Sequence, residues 1–149
     1  MILVSKCLAG HHCCWDGSTN LVPEIKALVD QGLAVTACPE VLGGLPTPRD
    51  PSEIRDSFVV NKVETNVTEE FKTGAEKALA IYQENNCTCA ILKARSPSCG
   101  KGTVYNGLFD GGLVTGNGIT AQLFLDHGIE VFTEHEWLKK CKLNQASAD

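Results

Sequence analysis

The thiols that could meet at a metal are the most chemically loaded feature of this chain. Cys7 follows the apolar run Ile2-Leu3-Val4-Ser5, Cys38 follows the run 33–37, and Cys99 closes the segment that begins at Ala90-Ile91. Each run reads as a strand, and each cysteine stands next to Gly, Pro or a turn. Strand C-termini of a parallel α/β sheet share one edge, where ligands bind. Thiols brought there from distant parts of the chain suit a metal or iron–sulfur site. Glu40 stands just beyond Cys38, and Pro39 between them fixes the backbone so that the carboxylate projects into the same crevice. Beside a desolvated metal site such a group, its pKa raised, can act as acid or base. Arg49, between Pro48 and Asp50, either recognises an anion or pairs with Glu53.

The other candidate groups read less sharply. Cys87 and Cys89 near a strand start, and Cys141 on a terminal helix, read as core. Cys13-Cys14 is an adjacent pair with no Cys-x-x-Cys partner. It leaves open a four-cysteine zinc site or a thiol redox role, and His11 and His12 beside it are near enough to serve as ligands, although loop histidines are more often solvated. Gly100-Lys101-Gly102-Thr103 lacks the earlier glycine of a phosphate loop. Gly116-Asn117-Gly118 opens a helix and could offer backbone N–H groups to an anion, or serve as a plain cap.

The elements that must position these residues follow from periodicity and punctuation. A helix is expected from Leu21 or Pro23 to Gln31, with Pro23 in its first turn, an apolar stripe of Ile25, Leu28 and Val29, and Gly32 as its stop. The Gly- and Pro-rich stretch 39–54 reads as a structured loop. A hairpin is expected with its turn at Asn61-Lys62, between strands 58–60 and 63–65. Asn66 or Thr68 caps a helix over 69–85, and strand 87–92 follows. The stretch 105–113 reads as an irregular β segment, then a helix over 119–126, a strand over 129–132 and a short helix over 135–141, with a frayed tail from Asn144. Strands alternating with helices indicate an α/β fold, a Rossmann-like three-layer sandwich with a mostly parallel sheet and cysteine-bearing loops at the strand C-terminal edge.

Length and composition bound the function. The 149 residues suit a single domain spanning 1–149, and 43% hydrophobic with 21% charged residues describes a globular chain. No apolar run approaches the roughly 20 residues of a membrane span, and no secretory signal is legible, so the expected location is the cytoplasm and no membrane partner is expected. In a reducing compartment, eight cysteines point to metal or redox chemistry before disulfides. A net charge of −5 disfavours a long polynucleotide partner such as tRNA, while Lys93, Arg95 and Lys101 leave a local basic pocket for one nucleotide.

Taken together, Val4-Ser5-Lys6-Cys7-Leu8-Ala9-Gly10, Trp15-Asp16-Gly17, Cys38-Pro39-Glu40-Val41-Leu42-Gly43-Gly44-Leu45, Pro48-Arg49-Asp50-Pro51, Leu92-Lys93-Ala94-Arg95-Ser96-Pro97-Ser98-Cys99-Gly100 and Gly116-Asn117-Gly118-Ile119-Thr120-Ala121 resemble the signature of the thiouracil desulfurases over nearly the whole chain. The resemblance implies a [4Fe-4S] cluster held by Cys7, Cys38 and Cys99, with one iron lacking a protein ligand, and catalysis assisted by Glu40 and Ser96. It implies a small thiolated nucleobase or nucleotide as substrate, such as 4-thiouracil or 4-thiouridine monophosphate, hydrolysed to the oxo base with release of sulfide. Gly116, Asn117, Gly118, Arg49 and Lys101 are the residues expected to bind it. Cys14-Trp15 stands where the family commonly has Arg-Tyr. The alternative is a protein that holds a cluster or zinc for sensing, without turnover.

Overall fold

The computed structural model describes residues 1–148, with side chains through Cys141. Its centre is a four-stranded, all-parallel sheet in the order β2-β1-β5-β8, formed by β1 (Ile2–Ser5), β2 (Ala34–Ala37), β5 (Cys89–Leu92) and β8 (Val131–Thr133). The register pairs Ser5 with Ala37 and Val4 with Ile91, so the ends of β1, β2 and β5 lie level. The chain leaves β1 to build β2 on one side and later β5 on the other. That arrangement opens a crevice beyond β1, as at the switch point of any doubly wound sheet.

Side-chain alternation along the strands feeds two cores. Leu3, Ala90, Leu92 and Val131 face α3 (Thr68–Glu84) and α4 (Ile119–Asp126), meeting Ala78, Tyr82, Ala121 and Phe124. Tyr82 and Phe124 stack edge to face with centroids 5.5 Å apart. Val4 and Ile91 face α1 (Pro23–Asp30) and α5 (Glu134–Ala148), meeting Ile25 and Trp137. Helices thus cover both sheet faces, which makes the expected three layers. No described helix is long and apolar enough to cross a membrane.

Several loops differ from expectation. The stretch read as loop from Pro39 contains a short helix, α2 (Pro39–Leu42), and its end forms strand β3 (Ser52–Arg55). The hairpin joins β3 to β4 (Phe58–Asn61) through Asp56-Ser57, with Asp56 at a positive φ of 57° that Asp tolerates. The turn expected at Asn61-Lys62 lies outside that hairpin because the Asn61 side chain accepts the Val63 and Thr65 amides and curls the chain there. The irregular β segment resolves into an antiparallel ribbon of β6 (Thr103–Tyr105) and β7 (Leu113–Thr115). The α4 helix keeps its expected bounds, while α5 runs well past residue 141. The tail expected to fray from Asn144 instead continues α5 through Ala148, and Asp149 lies outside the described residues.

Candidate active site

Three strand ends deliver the site. After β1 a 3-10 turn, Lys6–Ala9, buries Cys7 and closes on Gly10 in the left-handed region at φ 97°. The Cys7 carbonyl then accepts the Asn20 amide at 3.2 Å and the Thr19 hydroxyl at 3.0 Å, which folds the intervening loop back over the turn. Cys13 is buried on that loop, packed with Cys7 and Cys38. After β2, Cys38 stands at the start of α2 and Glu40 in its first turn.

After β5 the Lys93 amide donates to Ser5 Oγ at 2.9 Å, and Arg95 turns the chain with a positive φ of 68°. Ser96 Oγ accepts the amides of Ser98 at 3.1 Å and Cys99 at 3.0 Å, which shapes the turn carrying Cys99. That turn is seated on α4. A Cβ on Gly118 would stand 2.5 Å from the Ser98 carbonyl carbon, so only glycine lets helix and turn meet.

Cys7, Cys13, Cys38 and Cys99 wall one cavity of about 570 Å³ at the sheet edge, with Glu40 and Ser96 also on its lining. Half-exposed Trp15 and the Lys93 and Arg95 side chains contribute further wall. Among the described residues, no three Cys, His, Asp or Glu side chains form a single-ion site. All eight cysteines are free thiols.

The thiols are unequal. A hydrogen bond from the Cys13 thiol pulls Cys38 down to about 6 against the opposing effect of burial. The same donor lowers Cys7. Cys13 is correspondingly pushed up and stays protonated. Burial raises Cys14 to about 11, and Asn20 donates to its sulfur at 3.1 Å. Burial also pushes Cys99 up, although coordination to a metal deprotonates such a thiol outright. Soft thiolates are the ligands iron–sulfur clusters take, and Cys7, Cys38 and Cys99 reach the cavity from three separate strand ends. The donor set therefore fits a cluster.

Burial raises the Glu40 carboxyl above its ordinary value, and Arg49 opposes that shift. Arg49 Nε lies 3.1 Å from Glu40 Oε1. Its partner is thus Glu40 and not the nearby Glu53, whose Oε1 accepts the Gly107 and Phe109 amides. Lys93 Nζ lies 3.2 Å from Glu134 Oε2, and Glu134 Oε1 accepts the Ala94 amide at 2.8 Å.

Of the residues singled out by sequence, the cavity gathers Cys7, Cys38, Cys99, Glu40, Ser96 and Arg49. It does not gather Gly116, Asn117, Gly118 or Lys101. The Gly118, Ile119 and Thr120 amides donate to the Gly100, Pro97 and Ser98 carbonyls, which already occupy the helix start offered to an anion. Asn117 accepts the Gly102 amide and donates to Gln122, while Lys101 pairs with Glu136 at 3.1 Å. The residues that sequence reasoning undervalued are Cys13 and Glu134. Cys13 lacks any informative spacing, and only the Cys7 carbonyl contacts that fold its loop back reveal its place.

Comparison with known proteins identifies the family of the chain. The family model for 2-thiouracil desulfurase matches residues 2–136. The uncharacterized protein YbbK of Bacillus subtilis (strain 168) is 44% identical, over 91% of this chain and 97% of its own. The solved structure of the [4Fe-4S]-dependent thiouracil desulfidase TudS superposes with a TM-score of 0.88 at 42% identity, covering 97% of both chains. This chain belongs to the 2-thiouracil desulfurase family.

Proposed function

We propose that the protein is a non-redox desulfurase for a small thiolated uracil, 4-thiouracil or 4-thiouridine monophosphate, and that Cys7, Cys38 and Cys99 hold its [4Fe-4S] cluster. The observation that carries this reading is the meeting of those thiols and the Glu40 carboxylate on the walls of one cavity. When bound, such a cluster supplies an iron without a protein ligand, a thiophilic Lewis acid toward a thiocarbonyl sulfur. Glu40 takes the proton from a water that attacks the sulfur-bearing ring carbon, and Ser96 orients that water through its hydroxyl. The carbon–oxygen bond forms, the carbon–sulfur bond breaks with its electron pair leaving on sulfur, and the proton returns to the departing sulfide. No electron enters or leaves. The half-exposed Trp15 offers a flat face to the pyrimidine. The acidic chain and the modest cavity favour a base or mononucleotide over tRNA.

A second reading, a closed and non-catalytic centre, draws on one observation: Cys13 is a fourth thiol on the same wall. Anaerobic reconstitution followed by incubation with 4-thiouracil separates the two. Uracil and sulfide released in equal amounts, without added reductant, support the desulfurase. An intact cluster that never releases sulfide from any thiolated uracil supports the closed centre.

A further inference from the structure

We infer that Arg49 is a positioning residue, which fixes the Glu40 carboxylate to the cysteine loop and does not bind substrate. The inference rests on the reading of Glu40 as acid–base and deepens it. The Arg49 side chain is only 6% exposed, and that of Glu40 15%. Its guanidinium spends its donors on protein: Nε on Glu40 Oε1 at 3.1 Å, Nη2 on the Cys13 carbonyl at 2.8 Å, and Nη1 on the Pro46 carbonyl at 3.2 Å and Thr47 Oγ1 at 3.0 Å. Its own amide donates to the Trp15 carbonyl at 2.7 Å. One side chain thus ties α2, the loop bearing Cys13 and Trp15, and its own segment into a single unit.

The division of labour within Glu40 follows. Oε1 is held by Arg49, whereas Oε2 has no hydrogen bond to any described residue. Because no buried side-chain oxygen among the described residues lacks a partner, Oε2 is reached by solvent, and Glu40 lines the cavity. Arg49 therefore fixes one oxygen and leaves the other to take a proton. Lysine cannot do the same work, because a single ammonium lacks the planar fork that reaches three segments at once. Four of its five N–H donors are thus engaged on protein, so a substrate phosphate could take no bidentate pair without displacing one of these partners.

The test is a double-mutant cycle on the anaerobically reconstituted enzyme, with Arg49→Lys, Glu40→Gln and the double variant. Arg49→Lys is expected to lower kcat roughly 10- to 100-fold, as misplacement of a catalytic group does, with KM for 4-thiouracil changed less than about twofold. In the Glu40→Gln background, adding Arg49→Lys should cost less than about twofold, because the effect acts through the carboxylate. A second measurement uses cluster-free protein, so it does not depend on iron retention: alkylation of Cys13, mapped by mass spectrometry, should run about 3- to 10-fold faster in Arg49→Lys, as freed loops open more often. Equal losses in both backgrounds, an unchanged Cys13 labelling rate, or a KM effect confined to the monophosphate would each overturn the positioning role. Full activity of Glu40→Gln alone would sink the acid–base reading itself. An inactive Glu40→Gln beside a fully active Arg49→Lys would sink only the role of Arg49.

Discussion

Gly74 lies so close to the Pro39 carbonyl that a Cβ on it would overlap the oxygen. The glycine is in the middle of α3, where it costs about 1 kcal/mol relative to alanine. Its presence is explained by α2, which must press directly on α3 to set Cys38 and Glu40 at the cavity. Gly74→Ala should gain that roughly 1 kcal/mol of helix propensity and lose about 1–3 kcal/mol to overpacking. A net loss is expected, read as a lower Tm, together with weaker iron retention. A Tm above wild type would show that α2 yields without cost.

The pH dependence of turnover should carry the signature of Glu40. As a base it must be ionised, and burial raises its folded value above the ordinary 4.5. Activity is therefore lost as pH falls through that raised value, placing the acid limb of kcat/KM above 4.5. Glu40→Ala should remove the limb and lower kcat roughly 10²- to 10⁴-fold while keeping iron and sulfide. An acid limb that persists unchanged in Glu40→Ala assigns it to another group.

In cluster-free protein, alkylation of Cys38 should rise with pH about a midpoint near 6, since the thiolate is the reactive form and the Cys13 thiol stabilises it. Cys13→Ala removes that donor, leaves burial unopposed and should move the midpoint upward, toward or beyond the usual 9.0. A midpoint that stays near 6 would mean that the Cys13 thiol does not set it.

Much of this arrangement is legible in the sequence, and the parts that are not have identifiable causes. The parallel strands and α4 follow from apolar runs and glycine stops; Cys38 directly follows β2 and Cys7 lies two residues past β1, whereas Cys99 sits on a turn seven residues past the end of β5. The α2 helix hides in a Gly- and Pro-rich stretch, since Pro39 at its start and Gly43 at its end leave only four residues between flanking loop signals. Pairing is where local reading fails. Glu53 is the near neighbour of Arg49 in sequence, yet the fold delivers Glu40. Gly116 to Gly118 resemble an anion turn, yet the Cys99 turn supplies the acceptors itself.

Substrate form can be tested through the basic residues. Lys101 is paired with Glu136 away from the cavity, whereas exposed Arg95 lines it. Lys101→Ala should change kcat/KM less than about twofold for base and monophosphate alike, as surface charge changes do. Arg95→Ala should weaken the monophosphate about 5- to 50-fold and spare the base, the loss expected for one charge-assisted hydrogen bond. A larger effect of Lys101→Ala on the monophosphate would return the phosphate to the outer face.

The most direct test of the central assignment is ligand replacement read by iron and sulfide counts and by visible absorbance after anaerobic reconstitution. Alanine at Cys7, at Cys38 or at Cys99 should each abolish the broad absorbance and the bound iron. Alanine at Cys87, Cys89 or Cys141 should leave both at wild-type levels. A full cluster in any one of the first three variants would contradict the assignment of Cys7, Cys38 and Cys99 as its ligands.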